Sequence, residues 1–252
     1  MSLIQVPWSD YMPALESALG NTLEYTAISF VGAAAAGLGI AVLRLSSSRL
    51  ARFPAAIYTE IFKNVPLLAI IFLTYFGLAS AGVTLSVFQA GCLSLIVFYA
   101  AYLSEIFRAA IAGVHDGQRE AGAALGMGRA TVYVRVVLPQ ALRLALPGTN
   151  TMLVDLLKST SLLVTISAAE LMSEARLITS ETFRALEVYL VISVVYFALC
   201  YPLSQLLLWL ERRIRAGRPL TPARRRRLAQ ARALLADSDS DSETDAALEP
   251  AS

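Results

Sequence analysis

The sequence is poor in the residues on which most enzymes and soluble domains depend. Among its 252 residues are one histidine, two cysteines and only 16% charged residues, against roughly a quarter charged in an average soluble domain. With His115 alone, neither a histidine-based metal site nor a catalytic triad is readily assembled. Cys92 and Cys200 show no CxxC, zinc or disulfide spacing. We predict that both are small packing residues.

Several motifs are also missing from the chain. It has no GxxxxGK[ST] motif, so it cannot hydrolyse ATP through a P-loop. It has no HExxH, no GxSxG and no paired-aspartate motif at membrane depth, which argues against a membrane-embedded enzyme. No internal repeat is visible, which argues against a stand-alone ion-coupled transporter or channel. Residues 1–21 contain no Lys or Arg, so no cleavable signal peptide is predicted.

Long uncharged apolar runs are what the chain has in abundance. Apolar residues make up 56% of it, and the mean hydropathy is +0.60. A helix needs about 20 apolar residues to cross a bilayer. The sequence therefore predicts an all-α membrane protein with about five transmembrane helices, which are placed at about 22–43, 55–77, 84–107, 140–166 and 188–210.

The distribution of arginine predicts the orientation of these spans. Seventeen arginines lie in the connectors 44–52 and 105–143 and in the tail after residue 211, whereas the opposite connectors hold two. Basic loops stay in the cytoplasm. We therefore expect an extracytoplasmic N-terminal segment 1–21, a transmembrane domain 22–215 and a disordered cytoplasmic tail 216–252.

The cytoplasmic loop 108–139 holds the most informative motif. Asp116 or Gly117 is suited to cap a short helix, with Glu120 in its first turn. Two glycines, Gly126 and Gly128, are expected to end that helix. The sequence therefore predicts a compact helix with a small apolar face, which is made of Ala121, Ala124 and Leu125.

This loop resembles the signature of permease subunits in binding-protein-dependent ABC importers. That signature is Glu-Ala-Ala, three residues, Gly, nine residues, Ile, any residue, Leu-Pro. The matching residues here are Glu120, Ala121, Gly126, Leu138 and Pro139. The chain departs from the pattern in having Gly122 for the second alanine and Val136 for isoleucine. By this resemblance, the residues that couple the chain to an ATPase are Gly117, Glu120, Ala121, Gly122, Ala124, Leu125 and Gly126.

The resemblance continues over about residues 15–215 and is greatest to the polar amino acid branch, which handles histidine, glutamine, glutamate and arginine. It rests on the segments 60–68, 101–108, 156–162 and 182–189. One departure is Ile70, where the branch often has glutamine. The resemblance implies the MetI-like ABC permease fold, in a multi-pass protein of the bacterial cytoplasmic membrane with its N-terminus outside and its C-terminus in the cytoplasm.

The resemblance also implies the partners. They are ABC ATPase subunits, a second permease subunit that is identical or similar, an extracytoplasmic amino-acid-binding protein, and membrane lipid, with no nucleic acid. No cofactor is expected in this chain, because the partner ATPase binds ATP and Mg²⁺.

Polar residues inside the predicted spans are candidates for the substrate path. Asp155 and Lys158 are three residues apart and share one helix face. A charged group in lipid is costly, so this pair is expected to face protein or water. Two interpretations remain open, an ion pair that holds helices together and a contact to the transported solute. The further candidates are Gln89, Asn150, Thr160 and Ser161.

Overall fold

The computed structural model describes residues 6–216. Most of the predicted tail, from residue 217 onward, lies outside the described residues, as do residues 1–5. Within residues 6–216 the chain is helical and contains no strand. Eight helices follow one another, which are α1 (Trp8–Leu45), α2 (Arg49–Asn64), α3 (Leu67–Ser80), α4 (Val87–Ala112), α5 (Asp116–Ala124), α6 (Arg129–Ile166), α7 (Leu171–Thr182) and α8 (Ala185–Ala216). Residues up to Glu211 form one compact unit, and a second unit begins at Arg212.

Three of these helices, α1, α4 and α8, are each long and apolar enough to cross a membrane. The pairs α2–α3 and α6–α7 pass the same test when each is taken as one broken span, which raises the number to five. The predicted spans 84–107 and 188–210 correspond to α4 and α8. Helix α1 begins at Trp8, so much of the segment predicted to precede the first span is already helical.

The predicted span 55–77 is wrong as a single straight helix. Helices α2 and α3 meet at an angle of 109°. A proline disfavours helical backbone in the residue before it, and Val65, which precedes Pro66, is extended at φ −96° and ψ 132°. Pro66 then lies directly before the first turn of α3, where its missing N–H breaks no helical hydrogen bond.

Small residues bring α1 and α4 together over most of their length. The buried positions Ser29, Ala33, Gly37 and Ala41 recur every four residues on α1. A Cβ added at Gly37 would lie 3.1 Å from both the carbonyl oxygen of Ala100 and the backbone nitrogen of Ser104. Such spacing of small residues lets helix backbones approach closely in membranes.

Helix α6 changes its geometry at both ends. Pro139 has no N–H to donate to the carbonyl of Arg135, and the backbone forms a π-type turn over Tyr133–Val137. The helix tightens into a 3₁₀ segment over Thr160–Ile166 and ends at Ser167, which has φ +57°. The predicted span 140–166 therefore lies within α6, which begins eleven residues earlier.

Three apolar clusters hold the helices together. The central cluster joins α1, α3, α4 and α6, and Tyr99 is its largest fully buried residue. The second joins the start of α1 to α7 and α8, around Ile178 and Ile192. The third joins the end of α4 to the first half of α6, around Val132 and Val137. This third cluster is the base on which α5 rests.

Candidate functional site

Helix α5 lies between α4 and α6, where the sequence predicted a short helix. The predicted N-cap, Asp116 or Gly117, is wrong. His115 is the cap, and its Nδ1 accepts a hydrogen bond from the backbone N–H of Gly117 at 3.1 Å. The helix consequently begins at Asp116, so Glu120 is in the second turn and not in the first. Asp116 is the acidic residue of the first turn, where it complements the helix dipole.

Gly126 ends α5 as predicted. It has φ +74°, a conformation that costs glycine little. Its N–H donates to the carbonyl of Ala123 at 2.9 Å, and the N–H of Met127 donates to that of Gly122 at 3.1 Å. These two bonds form a Schellman motif, which fixes the end of a helix. Gly128 has a different position from that predicted, because it caps the start of α6.

The residues predicted to form the small apolar face of α5 point outward. Glu120, Ala121, Ala124 and Leu125 are all exposed, and the side chain of Leu125 is 81% exposed. A single exposed leucine is ordinary. Here it lies beside three exposed positions of the motif on a helix whose two ends are both capped. The arrangement is suited to receive a partner surface.

Gly122 provides the opposite face of α5, and it is buried. A Cβ at this position would lie 2.8 Å from Cγ2 of Val132 on α6. The absence of a side chain therefore lets α5 rest directly on the third cluster. Neither this contact nor the cap at His115 was predicted from the sequence, because both depend on how the loop folds back.

A polar groove of about 430 Å³ lies between α6 and α8. Three predicted path residues, Asn150, Asp155 and Lys158, line its α6 side. Nδ2 of Asn150 lies 3.4 Å from the carbonyl oxygen of Leu207 on α8. The structure therefore brings half of the predicted path residues to one surface.

Asp155 contacts Lys158 on its own helix and Tyr99 on α4. Its Oδ1 lies 3.9 Å from Nζ of Lys158, and the two side chains are 50% and 57% exposed, respectively. Its Oδ2 accepts a hydrogen bond of 2.8 Å from the hydroxyl of Tyr99 on α4, which also lies 2.8 Å from Oγ of Ser159. Tyr99 therefore holds one carboxylate oxygen of Asp155, a residue that lines the groove.

The remaining path candidates do not line this groove. Gln89 belongs to a capping box at the start of α4, where its Oε1 accepts from the N–H of Ser86 at 3.0 Å. Thr160 is buried and donates to the carbonyl of Leu157 at 2.8 Å. Ser161 donates to the carbonyl of Lys158 at 2.7 Å. Each of these polar groups therefore already satisfies a local backbone atom.

Two helix ends carry an acidic and a basic residue three positions apart, and they differ in their contacts. Glu105 contacts Arg108 and also Arg44 on α1. Glu60 and Lys63 form no ion pair within residues 6–216. In place of that pair, Nδ2 of Asn64 donates to the backbone carbonyl of Glu60 at 2.7 Å.

Glu170 is a buried acid that the sequence interpretation missed. Its side chain is fully buried at the N-cap of α7. The carboxylate accepts hydrogen bonds from the N–H of Met172 at 2.9 Å, the N–H of Ser173 at 2.7 Å and the hydroxyl of Tyr196 on α8 at 3.1 Å. The available signal was its place directly after the largely apolar run 162–169, since an acid at such a position in a membrane protein needs partners. Within residues 6–216 no cluster of His, Cys, Asp and Glu is suited to a metal ion.

Known proteins are similar to this chain in both sequence and architecture. Residues 24–216 match the family described as Binding-protein-dependent transport system inner membrane component. The chain is 34% identical over 188 residues to the probable amino-acid ABC transporter permease protein YckA of Bacillus subtilis (strain 168), which covers 75% of this chain and 83% of that protein. It is 32% identical over 217 residues to the glutamine transport system permease protein GlnP of Escherichia coli (strain K12), with coverages of 84% and 99%.

Solved structures agree with the sequence comparison. A crystal structure of an amino acid ABC transporter with histidines has a TM-score of 0.79 and 34% identity, and covers 84% of this chain and 100% of that chain. The methionine ABC transporter MetNI, in an inward-facing form, has a TM-score of 0.70 at 19% identity, with coverages of 81% and 98%. The predicted all-α, MetI-like fold is thereby confirmed.

Proposed function

The chain belongs to the family of inner membrane components of binding-protein-dependent transport systems, and on that premise we propose that it is the permease subunit of an ATP-driven importer of polar amino acids. The relatives named as amino acid, glutamine and L-cystine permeases support the substrate class. ATP and Mg²⁺ are bound by a separate ATPase. An extracytoplasmic binding protein delivers the solute.

The observation that carries the proposal is the exposed face of α5. Glu120, Ala121 and Leu125 point away from the bundle, whereas Gly122 seats the helix on α6. A partner that holds the exposed face would move α5 together with the start of α6. Motion of the ATPase would thereby reach the membrane helices through contiguous packing.

The groove between α6 and α8 is the proposed path surface. It offers the carboxylate of Asp155 and the ammonium group of Lys158 side by side. These two groups complement the ammonium and carboxylate groups that every amino acid carries. Helices α6 and α8 of this chain form the groove, and a second permease subunit, identical or similar, completes the path. In this arrangement the start of α1 is extracytoplasmic and α5 is cytoplasmic.

Replacing the exposed Leu125 at the end of α5 tests the coupling role. Leu125→Asn should abolish co-purification of the ATPase and solute uptake in proteoliposomes, because the apolar contact is replaced by an amide that must be desolvated. Membrane insertion and the unfolding temperature of the isolated chain should not change. Phe183→Asn is a matched control, since Phe183 is 89% exposed and lies between α7 and α8.

An ATPase that still co-purifies with Leu125→Asn would overturn the coupling role of α5.

The path surface is tested separately by Asp155→Asn, which should raise the KM for uptake while the ATPase remains bound. Unchanged uptake kinetics would remove Asp155 from the path.

A further inference from the structure

Four arginine side chains line one groove at the end of the bundle where α1 and α4 stop and α2 begins. They are Arg44 on α1, Arg49 and Arg52 on α2, and Arg108 on α4, around a volume of about 760 Å³. The carboxylate of Glu105 contacts Arg44 and Arg108. Four positive charges and one negative charge leave a formal net charge of three positive on these five side chains.

In the part of the chain that the structure describes, Glu105 is the one acidic partner of these arginines. Within residues 6–216, Arg49 and Arg52 make no ion pair, and Nε of Arg108 is buried without a hydrogen-bond partner. Arg49 and Arg52 also begin α2, whose N-cap Ser48 makes no side-chain capping bond. The free N–H groups of that first turn add partial positive charge at the same place.

Apolar side chains beside the arginines narrow the choice of ligand. Leu50 is 89% exposed and Phe53 is 69% exposed, and both line the groove. The groove lies at the ends of two candidate spans, α1 at Leu45 and α4 at Ala112. At this depth a membrane presents phosphate groups next to the ends of acyl chains. A free anion would leave Leu50 and Phe53 uncovered, whereas a phospholipid covers them.

We propose that this groove binds the head group of an anionic phospholipid, with Arg49 and Arg52 on the phosphate and Leu50 and Phe53 against the glycerol and upper acyl chains. Guanidinium groups bind phosphate oxygens in pairs of parallel hydrogen bonds. Arg44 and Arg108 supply further positive charge but stay bonded to Glu105. The proposal depends on the membrane location of the chain and not on its cargo, so it stands or falls separately from amino acid import.

Native mass spectrometry of the full chain in a non-ionic detergent tests the proposal. The probes are dioleoyl phosphatidylglycerol, dioleoyl phosphatidylcholine and inorganic phosphate. Phosphatidylglycerol should bind more tightly than phosphatidylcholine. Arg49→Gln with Arg52→Gln should weaken phosphatidylglycerol binding roughly 30-fold, at about one kcal/mol per basic residue near the surface. Raising the salt concentration should reduce the difference.

The matched control is Arg129→Gln with Arg135→Gln, which removes two exposed charges of α6 outside the groove and should leave phosphatidylglycerol binding within about threefold of wild type. The variant with Arg49→Lys and Arg52→Lys keeps the charge and should retain most of the binding. Equal loss in the control pair, or phosphate binding as tight as lipid binding, would overturn the site. Undiminished lipid binding by the variant with Arg49→Gln and Arg52→Gln would also overturn the site. If that variant in addition no longer co-purified with the ATPase, the groove would be assigned to an acidic protein surface.

Discussion

At residue scale, Gly122 shows why this chain differs from the usual form of its family motif. The family motif has alanine at this position. A Cβ added to Gly122 would lie only 2.8 Å from Cγ2 of Val132. Valine is short and β-branched, so it cannot turn aside as a flexible side chain does. The glycine and the valine therefore act as a pair.

This pairing predicts the effect of restoring alanine. Gly122→Ala gains up to about 1 kcal/mol of helix propensity but forces an overpacked contact that costs about 1–3 kcal/mol. The net effect should loosen α5 by about 1 kcal/mol. Tryptic cleavage after Arg119 and Arg129 should then be about fivefold faster. Adding Val132→Ala should restore resistance, and Gly39→Ala, at a helical glycine with open space around it, should have no effect.

Glu170 leads to a second prediction at this scale. Its carboxylate accepts three hydrogen bonds from N–H and O–H donors, and an amide would turn an NH₂ group toward one of them. Leaving a buried polar group unsatisfied costs about 1–3 kcal/mol, so Glu170→Gln should lower the unfolding temperature on the order of 5 °C. Glu181→Gln is the control, because the hydrogen bond that Glu181 accepts from Tyr11 is exposed. Equal unfolding temperatures of the Glu170→Gln and Glu181→Gln variants would contradict the structural role of Glu170.

At the scale of elements, α5 depends on its caps, because a helix of nine residues is not stable in isolation. Loss of an N-cap costs roughly 1 kcal/mol. His115→Ala should therefore raise hydrogen exchange of the amides at 117–121 about fivefold. His115→Asn should keep the protection, since asparagine is a favoured cap. Exchange unchanged in His115→Ala would mean that packing alone holds α5.

The elements differ in how far the sequence could predict them. The motif with Gly126 fixed the place and the end of α5, because a glycine with positive φ is a local requirement. The break after Val65 is also predictable, because Pro66 disfavours helical backbone in the residue before it, whereas hydropathy alone predicts one span over 55–77. The contacts of Gly122 with Val132 and of Asp155 with Tyr99 join residues far apart in the chain or on different helices. No periodicity or propensity encodes such contacts.

At the scale of the whole molecule, the arginine distribution makes a direct prediction about topology. In a chain with Cys92→Ala and Cys200→Ala, the exposed positions Leu125 and Phe183 can each be replaced by cysteine. Leu125→Cys should react with a membrane-impermeant maleimide only in inside-out vesicles, and Phe183→Cys only in right-side-out vesicles. Labelling of both from the same side would contradict the arrangement with five crossings.

The contact between α1 and α4 limits where the molecule can deform. Residues such as Gly37 and Ala100 leave almost no side chain between the two backbones. Helices α1 and α4 therefore have no side-chain rotamers at this contact whose rearrangement would let one helix slide along the other. Helix α8 is the opposite case, because only 6% of its most apolar stretch is buried. During alternating access, helices α1 and α4 should therefore keep their positions relative to each other. Helix α8 and the half of α6 that faces it should be the elements that tilt.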